Sequence, residues 1–160
     1  MVVKGRYLLG QNVSKEEFLP AFISAEIKLN SQTEPFGISD ESYKMLDLVD
    51  INEVKLARMR NYSYLKSELS ILGYKIVASG GINQVPIFCV IMLDDRDLVQ
   101  KHLIDNHVYC PIHWPLYDEL KEFHDSVLNQ SKEISIPIDQ RYTVQDMEFI
   151  VKCIRSYTNP

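Results

Sequence analysis

The stretch Val85–Leu116 reads VPIFCVIMLDDRDLVQKHLIDNHVYCPIHWPL, and its pattern decides the fold. Val85–Leu93 is apolar throughout, which predicts a strand at the centre of a sheet or one covered on both faces. Asp94 and Asp95 stand where a helix N-cap is expected, and Leu98, Val99, Leu103 and Ile104 follow at helical spacing. Asn106 suits the left-handed residue just past a helix end. Val108–Ile112 then reads as a short, partly aromatic strand. Pro111 and Pro115 bracket Ile112, His113 and Trp114. Each proline fixes its own φ and biases the residue before it toward extended backbone, so this segment is stiff and non-helical.

Upstream, Tyr74–Ala78 alternates weakly and reads as a strand, and Gly80-Gly81 marks the turn that leads into Val85. Before it lies the clearest helix. Asp50 is an N-cap with Glu53 three residues on, and Gly73 closes the end. Val54, Ala57, Leu65, Leu69 and Leu72 share one stripe. Asn61 lies in line with that stripe, which predicts a polar residue either paired at an interface or near the edge of the buried face. Further upstream, Ser14 and Glu17 form a capping box ahead of Phe18, Phe22, Ala25 and Leu29, with Pro20 inside the pattern. Ser39 caps a short helix running to Leu48. Downstream, Tyr117–Leu128 reads as a helix. Ile134, Ile136 and Ile138 alternate with Ser135 and Pro137, and Pro137 places that strand at a sheet edge. Thr143 with Asp146 caps a last helix bearing Met147, Ile150, Val151 and Ile154. The whole order predicts an α+β fold: a small, mainly antiparallel sheet of three or four strands with helices packed on one face.

The chain has 160 residues, 46% hydrophobic and 24% charged, enough for one domain with a genuine core. Its longest apolar run, Ile87–Leu93, is seven residues and far too short to cross a bilayer. The first residues carry no signal-peptide pattern, so a cytoplasmic location and no membrane partner are expected. The net charge of −5, without a Lys/Arg cluster, argues against nucleic acid. The three cysteines, Cys89, Cys110 and Cys153, are too widely spaced for a disulfide framework or a zinc ribbon and read as buried small hydrophobes. Cys110-x-x-His113 has ligand-like spacing but no second close pair to complete a metal site. In an extended segment those two side chains point to opposite faces, which argues against a nucleophile–base pair. Gly80-Gly81 has no following Lys-Ser/Thr and no helix directly after it, so no phosphate loop is present.

The segment Tyr109–Leu116 is different. It holds an imidazole and the only tryptophan between two prolines, just past a strand end. A polar ring and a large aromatic on a stiff loop suit a flat or sugar-like ligand, with Tyr109, His113 and Trp114 as the candidate substrate-binding residues. The residues support a second reading equally well: Trp114 plugs the core and His113 makes a backbone hydrogen bond.

Val108–Leu116 is similar to the "(I/V)-Y-(T/C)-P-(I/V)-H-(Y/W)-P-(L/I)" signature near the carboxy terminus of DegT–StrS aminotransferases. Three further stretches resemble that family in the same order: Arg58–Tyr62 through Leu69, Pro86–Leu93 with Asp95–Leu98 and His102-Leu103, and Ile136–Tyr142 with Asp146-Met147. The resemblance implies the carboxy-terminal small domain of a fold-type-I aminotransferase over residues 39–160. Residues 1–38 then resemble the helical end of the large domain. It also implies pyridoxal phosphate (PLP) in the full-length family, held as a Schiff base by a large-domain lysine with an aspartate at the pyridine nitrogen. Substrates implied are nucleotide-linked sugars and an amino-acid donor, in the full enzyme only. Partners implied are a second copy in a homodimer or a separate large-domain polypeptide. The loop matching Ile112–Pro115 is expected at the active-site mouth.

The lysine and aspartate contexts of the family are missing. Lys28 follows Ser24 by four residues, but both fall on an apparent amphipathic helix. This chain alone is therefore expected to bind no cofactor, to carry no catalytic residue and no metal, and not to transaminate. Two other readings stand beside it. One is a free-standing, non-catalytic binding module that keeps the small-domain fold. The other is an independent enzyme using Cys110, His113 or Asp139.

Overall fold

The structure is a computed structural model that describes residues 3, 6–7, 10–77, 84–113 and 116–158. The expected Gly80-Gly81 turn, Ala78 and Trp114 lie outside the described residues. The chain divides into two compact units, Met1–Leu48 and Val49–Pro160.

The first unit holds helices α1 (Lys15–Asn30) and α2 (Asp40–Leu46). The Ser14 hydroxyl accepts from the Glu17 N–H at 3.2 Å while the Glu17 carboxylate accepts from the Ser14 N–H at 3.0 Å, so the capping box is closed in both directions. Pro20 lies within the first two turns, and α1 runs on past it. Ser39 caps α2 through the Ser42 N–H. No residue of either helix is buried. Tyr7 stacks on Phe18 at 4.8 Å, and Phe18 meets Phe22 at 5.7 Å.

The second unit contains the core. The long helix α3 (Ile51–Ile71) starts where the Asp50 carboxylate accepts from the N–H groups of Asn52 and Glu53. Its end is a Schellman turn: Tyr74 donates to the Leu69 carbonyl and Gly73 to Ser70, with Gly73 at φ +83. Nothing lies within 4 Å of a Cβ built on Gly73, so glycine is favoured there by its φ and not by space. Asn61, Tyr62, Leu65 and Leu69 are the buried face of α3.

Strands β1 (Lys75–Ile76), β2 (Phe88–Met92) and β3 (Glu133–Pro137) form an antiparallel sheet in that order. Cys89 faces Ile136, Val90 faces Ser135, and Met92 faces Glu133. β2 is thus the central strand, as its apolar run suggests, and Pro137 sits on a sheet edge. Helices α4 (Arg96–Asp105) and α6 (Val144–Thr158) complete the helical layer with α3, while α5 (His124–Lys132) leads into β3. α6 packs against both α3 and α4. Its start is a reciprocal box between Thr143 and Asp146. Cys89, Ile91, Ile134, Ile136, Leu65, Leu103, Met147 and Ile154 are fully enclosed between sheet and helices. The fold is α+β, with a three-stranded sheet carrying its main helical layer on one face.

Four local expectations are corrected. Val108–Ile112 is not a strand. Pro111 has no N–H to give a ladder, and the segment instead offers single carbonyls, Pro111 to the Ser135 N–H at 3.0 Å and Cys110 to the Gln100 amide at 2.9 Å. The left-handed residue after α4 is His107, at φ +62, and not Asn106, at φ −97. Asp94 and Asp95 do not cap α4 with their side chains: Asp94 pairs with Lys132, and Asp95 accepts from the Tyr157 hydroxyl at 2.6 Å. Tyr117–Leu128 is not one helix but a 3-10 turn, Asp118–Leu120, followed by α5 from His124.

Candidate functional site

The sheet has two chemically different faces. On β2, Cys89 and Ile91 point into the core, so Val90 and Met92 lie on the other side. Together with Val77 they line a cleft of about 520 Å³. Leu116, Tyr117 and Leu120 form one wall, Ser126, Asn129 and Gln130 of α5 another, and His113 and Glu133 supply its ionisable groups. The volume falls in the range of small-ligand clefts, and the lining is mostly apolar with a few convergent polar groups.

His113 is held at two points by Glu133. The His113 backbone N–H donates to Glu133 Oε2 at 3.0 Å. The ring Nδ1 lies 2.9 Å from Ser135 Oγ, and the Ser135 hydroxyl in turn donates to Glu133 Oε1 in a short hydrogen bond. The ring also meets Phe88 at 4.9 Å. Glu133 and Ser135 alternate with the core residues Ile134 and Ile136 along β3, which puts both on the cleft side of the strand. Ser135 is nevertheless only 1% exposed, closed over by the 111–113 segment.

Of the two sequence candidates among the described residues, His113 lines this cleft and Tyr109 does not. Tyr109 is 68% exposed and lines a separate depression of about 270 Å³ with His107, Tyr142 and Phe149. Trp114 lies outside the described residues. Glu133, Ser135 and Asn129 were not singled out. The two polar residues two apart on an otherwise Ile-rich strand were the available signal, because period-two alternation sends them to one face.

The other candidate groups are structural. Cys89, Cys110 and Cys153 are free and buried, and burial pushes the first two thiols up to about 12. Asp139 accepts from the Arg141 guanidinium at 2.7 and 2.9 Å and from its backbone N–H, which holds its carboxyl below the usual range. Asn61, fully buried, donates through Nδ2 to the carbonyls of Ile138, Asp139 and Tyr142 and so ties α3 to the turn after β3. Among the described residues no cluster of three His, Cys, Asp or Glu side chains could hold a metal ion. No described helix is long and apolar enough to cross a membrane.

No protein-family model matches the sequence, and no curated protein matches it by sequence. Its backbone is similar to solved structures. One is a DegT DnrJ EryC1 StrS aminotransferase from Brucella abortus, with TM-score 0.63 and 16% identity over 81% of this chain and 40% of that one. A second is a sugar aminotransferase from Micromonospora echinospora, with TM-score 0.55 and 14% identity over 67% and 31%. A third is a Streptococcus pneumoniae protein assigned as a sugar aminotransferase and solved in its PLP form, with TM-score 0.57 and 13% identity over 72% and 33%. The chain thus spans between 31% and 40% of the length of these proteins.

PLP used for transamination needs a lysine amine, an acid beside the pyridine nitrogen and donors for the phosphate. The cleft offers one carboxylate and, among its lining residues, no lysine or arginine. Lys28 sits in the exposed last turn of α1. The residues of the cleft do not fit that cofactor. What the chain shares with these proteins is the fold: it has the α+β architecture of one part of the DegT–DnrJ–EryC1–StrS aminotransferases.

Proposed function

We propose that this chain is the small-domain part of a PLP-dependent, sugar-modifying aminotransferase, and that it does not transaminate by itself. The observation that carries this reading is the fold shared, over about a third of their length, with three aminotransferases, two of them described as sugar aminotransferases and one of those solved in its PLP form. In this reading the chain contributes a wall of the active site, with His113, Trp114 and Tyr109 on the substrate side. A lysine-bearing large lobe, from a second polypeptide or a longer form of this one, holds PLP. Residues 1–38 belong with that lobe, and residues 39–160 are the small domain.

The surface of the first unit supports the need for a partner. Ile27, Leu29, Phe36 and Leu48 are 64%, 61%, 80% and 79% exposed, and α1 and α2 bury nothing. Apolar residues exposed in that number, on described helices with no buried residue, mark a face that another surface covers.

Turnover tests the proposal. The purified chain, mixed with PLP, L-glutamate and a nucleotide-linked keto-sugar, forms no amino sugar. A PLP-holding polypeptide that elutes with the chain as one species, and forms amino sugar only with it, is the expected positive result. Amino-sugar formation by the chain alone contradicts the reading.

A further inference from the structure

We infer that Glu133 and Ser135 are positioning residues that fix which nitrogen of His113 carries the proton, and that the cleft beside them takes a neutral or cationic sugar ring and not a phosphate. The first half follows from proton counting. An ionised carboxylate only accepts, so the Ser135 hydroxyl gives its single proton to Glu133 Oε1. That oxygen can then only accept from His113 Nδ1, 2.9 Å away, so Nδ1 bears a hydrogen. Glu133 Oε2 holds the backbone of the same residue, so the imidazole is fixed in place as well as in tautomer. In the neutral ring the acceptor is therefore Nε2.

The second half follows from the lining. Among the described lining residues Glu133 is the only formally charged side chain, and no Lys or Arg is present to meet a phosphate. An anion placed there would face a carboxylate across an apolar floor, where like charges are weakly screened. A pyranose suits the same surface: its C–H face can lie on Val90 and Met92, and its hydroxyls or an amine can reach Asn129, Gln130 and the imidazole. In a sugar-nucleotide substrate the ring, not the diphosphate, would then occupy this cleft. The choice of a sugar rests on the function proposed above, whereas the tautomer does not.

The test uses the whole chain, isotope-labelled, without cofactor or partner. Long-range nitrogen–proton NMR of the histidine rings reads the tautomer directly. The account expects His113 with Nδ1–H. An Nε2–H tautomer overturns the positioning claim, whatever the chain's role in catalysis. Titration with glucosamine, methyl glucoside and glucose 1-phosphate then reads the ligand class. The first two are expected to shift backbone signals of Val90, Met92 and His113, and glucose 1-phosphate to bind more weakly than either. Tighter binding of the phosphate, or no shift with any of the three, overturns the ligand claim. Ser135→Ala is expected to mix the tautomers and to raise the glucosamine Kd about threefold to tenfold, the loss of one hydrogen bond. Glu133→Gln gives a second variant should the alanine fail to fold. Both variants binding as tightly as wild type, with the tautomer unchanged, overturns the positioning claim.

Discussion

Replacing Asn61 tests how the long helix is joined to the sheet. Its side chain is fully buried, and its two amide hydrogens are shared among three backbone carbonyls, the shortest contact being 2.9 Å to Tyr142. An amide has only two protons, so Asn61→Leu removes at most two good hydrogen bonds. The Asp139 carbonyl keeps the Tyr142 N–H, so the substitution costs the Ile138 and Tyr142 carbonyls a donor, at about 1–3 kcal/mol each. Asn61 Oδ1 has no hydrogen-bond partner of its own, so its removal returns part of that cost. The net expectation is a loss of about 2–4 kcal/mol, against a total stability of about 5–15 kcal/mol for a domain. Leucine keeps the site filled, so the loss is read as hydrogen bonding and not as a cavity. Urea unfolding followed by far-ultraviolet circular dichroism should show a lower midpoint at an unchanged slope. A Leu variant within about 0.5 kcal/mol of wild type would show that the turn after β3 reaches water and that Asn61 does not join the two elements.

Three further outcomes are expected. Asp139 is held below its unfolded value of about 3.9 by hydrogen bonds from Arg141, so its stabilisation is full above about pH 5 and fades as pH falls through the folded value. Thermal unfolding of Asp139→Asn should therefore be flatter in acid than wild type, and an unchanged acid limb would refute this. Gly73→Ala should cost about 1–2 kcal/mol in chemical denaturation, from φ +83 alone, since no atom stands within 4 Å of the new Cβ; a neutral substitution would mean the helix end is frayed. Cys89 and Cys110, buried and pushed up to about 12, should resist alkylation in the native protein and react once urea unfolds it, as mass spectrometry would show; rapid native labelling would contradict their burial.

The long helix and the last helix were legible because each is declared twice, by apolar period and by caps, and the central strand was legible from its unbroken apolar run. Asp50 and Gly73 bracket the stripe of α3, and Thr143 with Asp146 opens α6. The segment 108–112 misled because a β-like composition met a proline that cannot join a ladder. Asp94 and Asp95 misled because a carboxylate suited to a cap found Lys132 and Tyr157 instead, partners distant in sequence. His113 was legible from its place between two prolines. Glu133 and Ser135 were not, because their meeting with His113 depends on how the loop folds over β3, a contact about twenty residues long in sequence that no local pattern encodes.

Borohydride reduction of the purified chain with PLP, followed by peptide mapping of every lysine, tests the central claim most directly. The account predicts no lysine modified in stoichiometric and saturable fashion, because the cleft offers none and Lys28 lies on an exposed helix turn. A single lysine trapped at one equivalent, protected by a sugar or amino-acid substrate, would contradict it and place a complete cofactor site on this polypeptide.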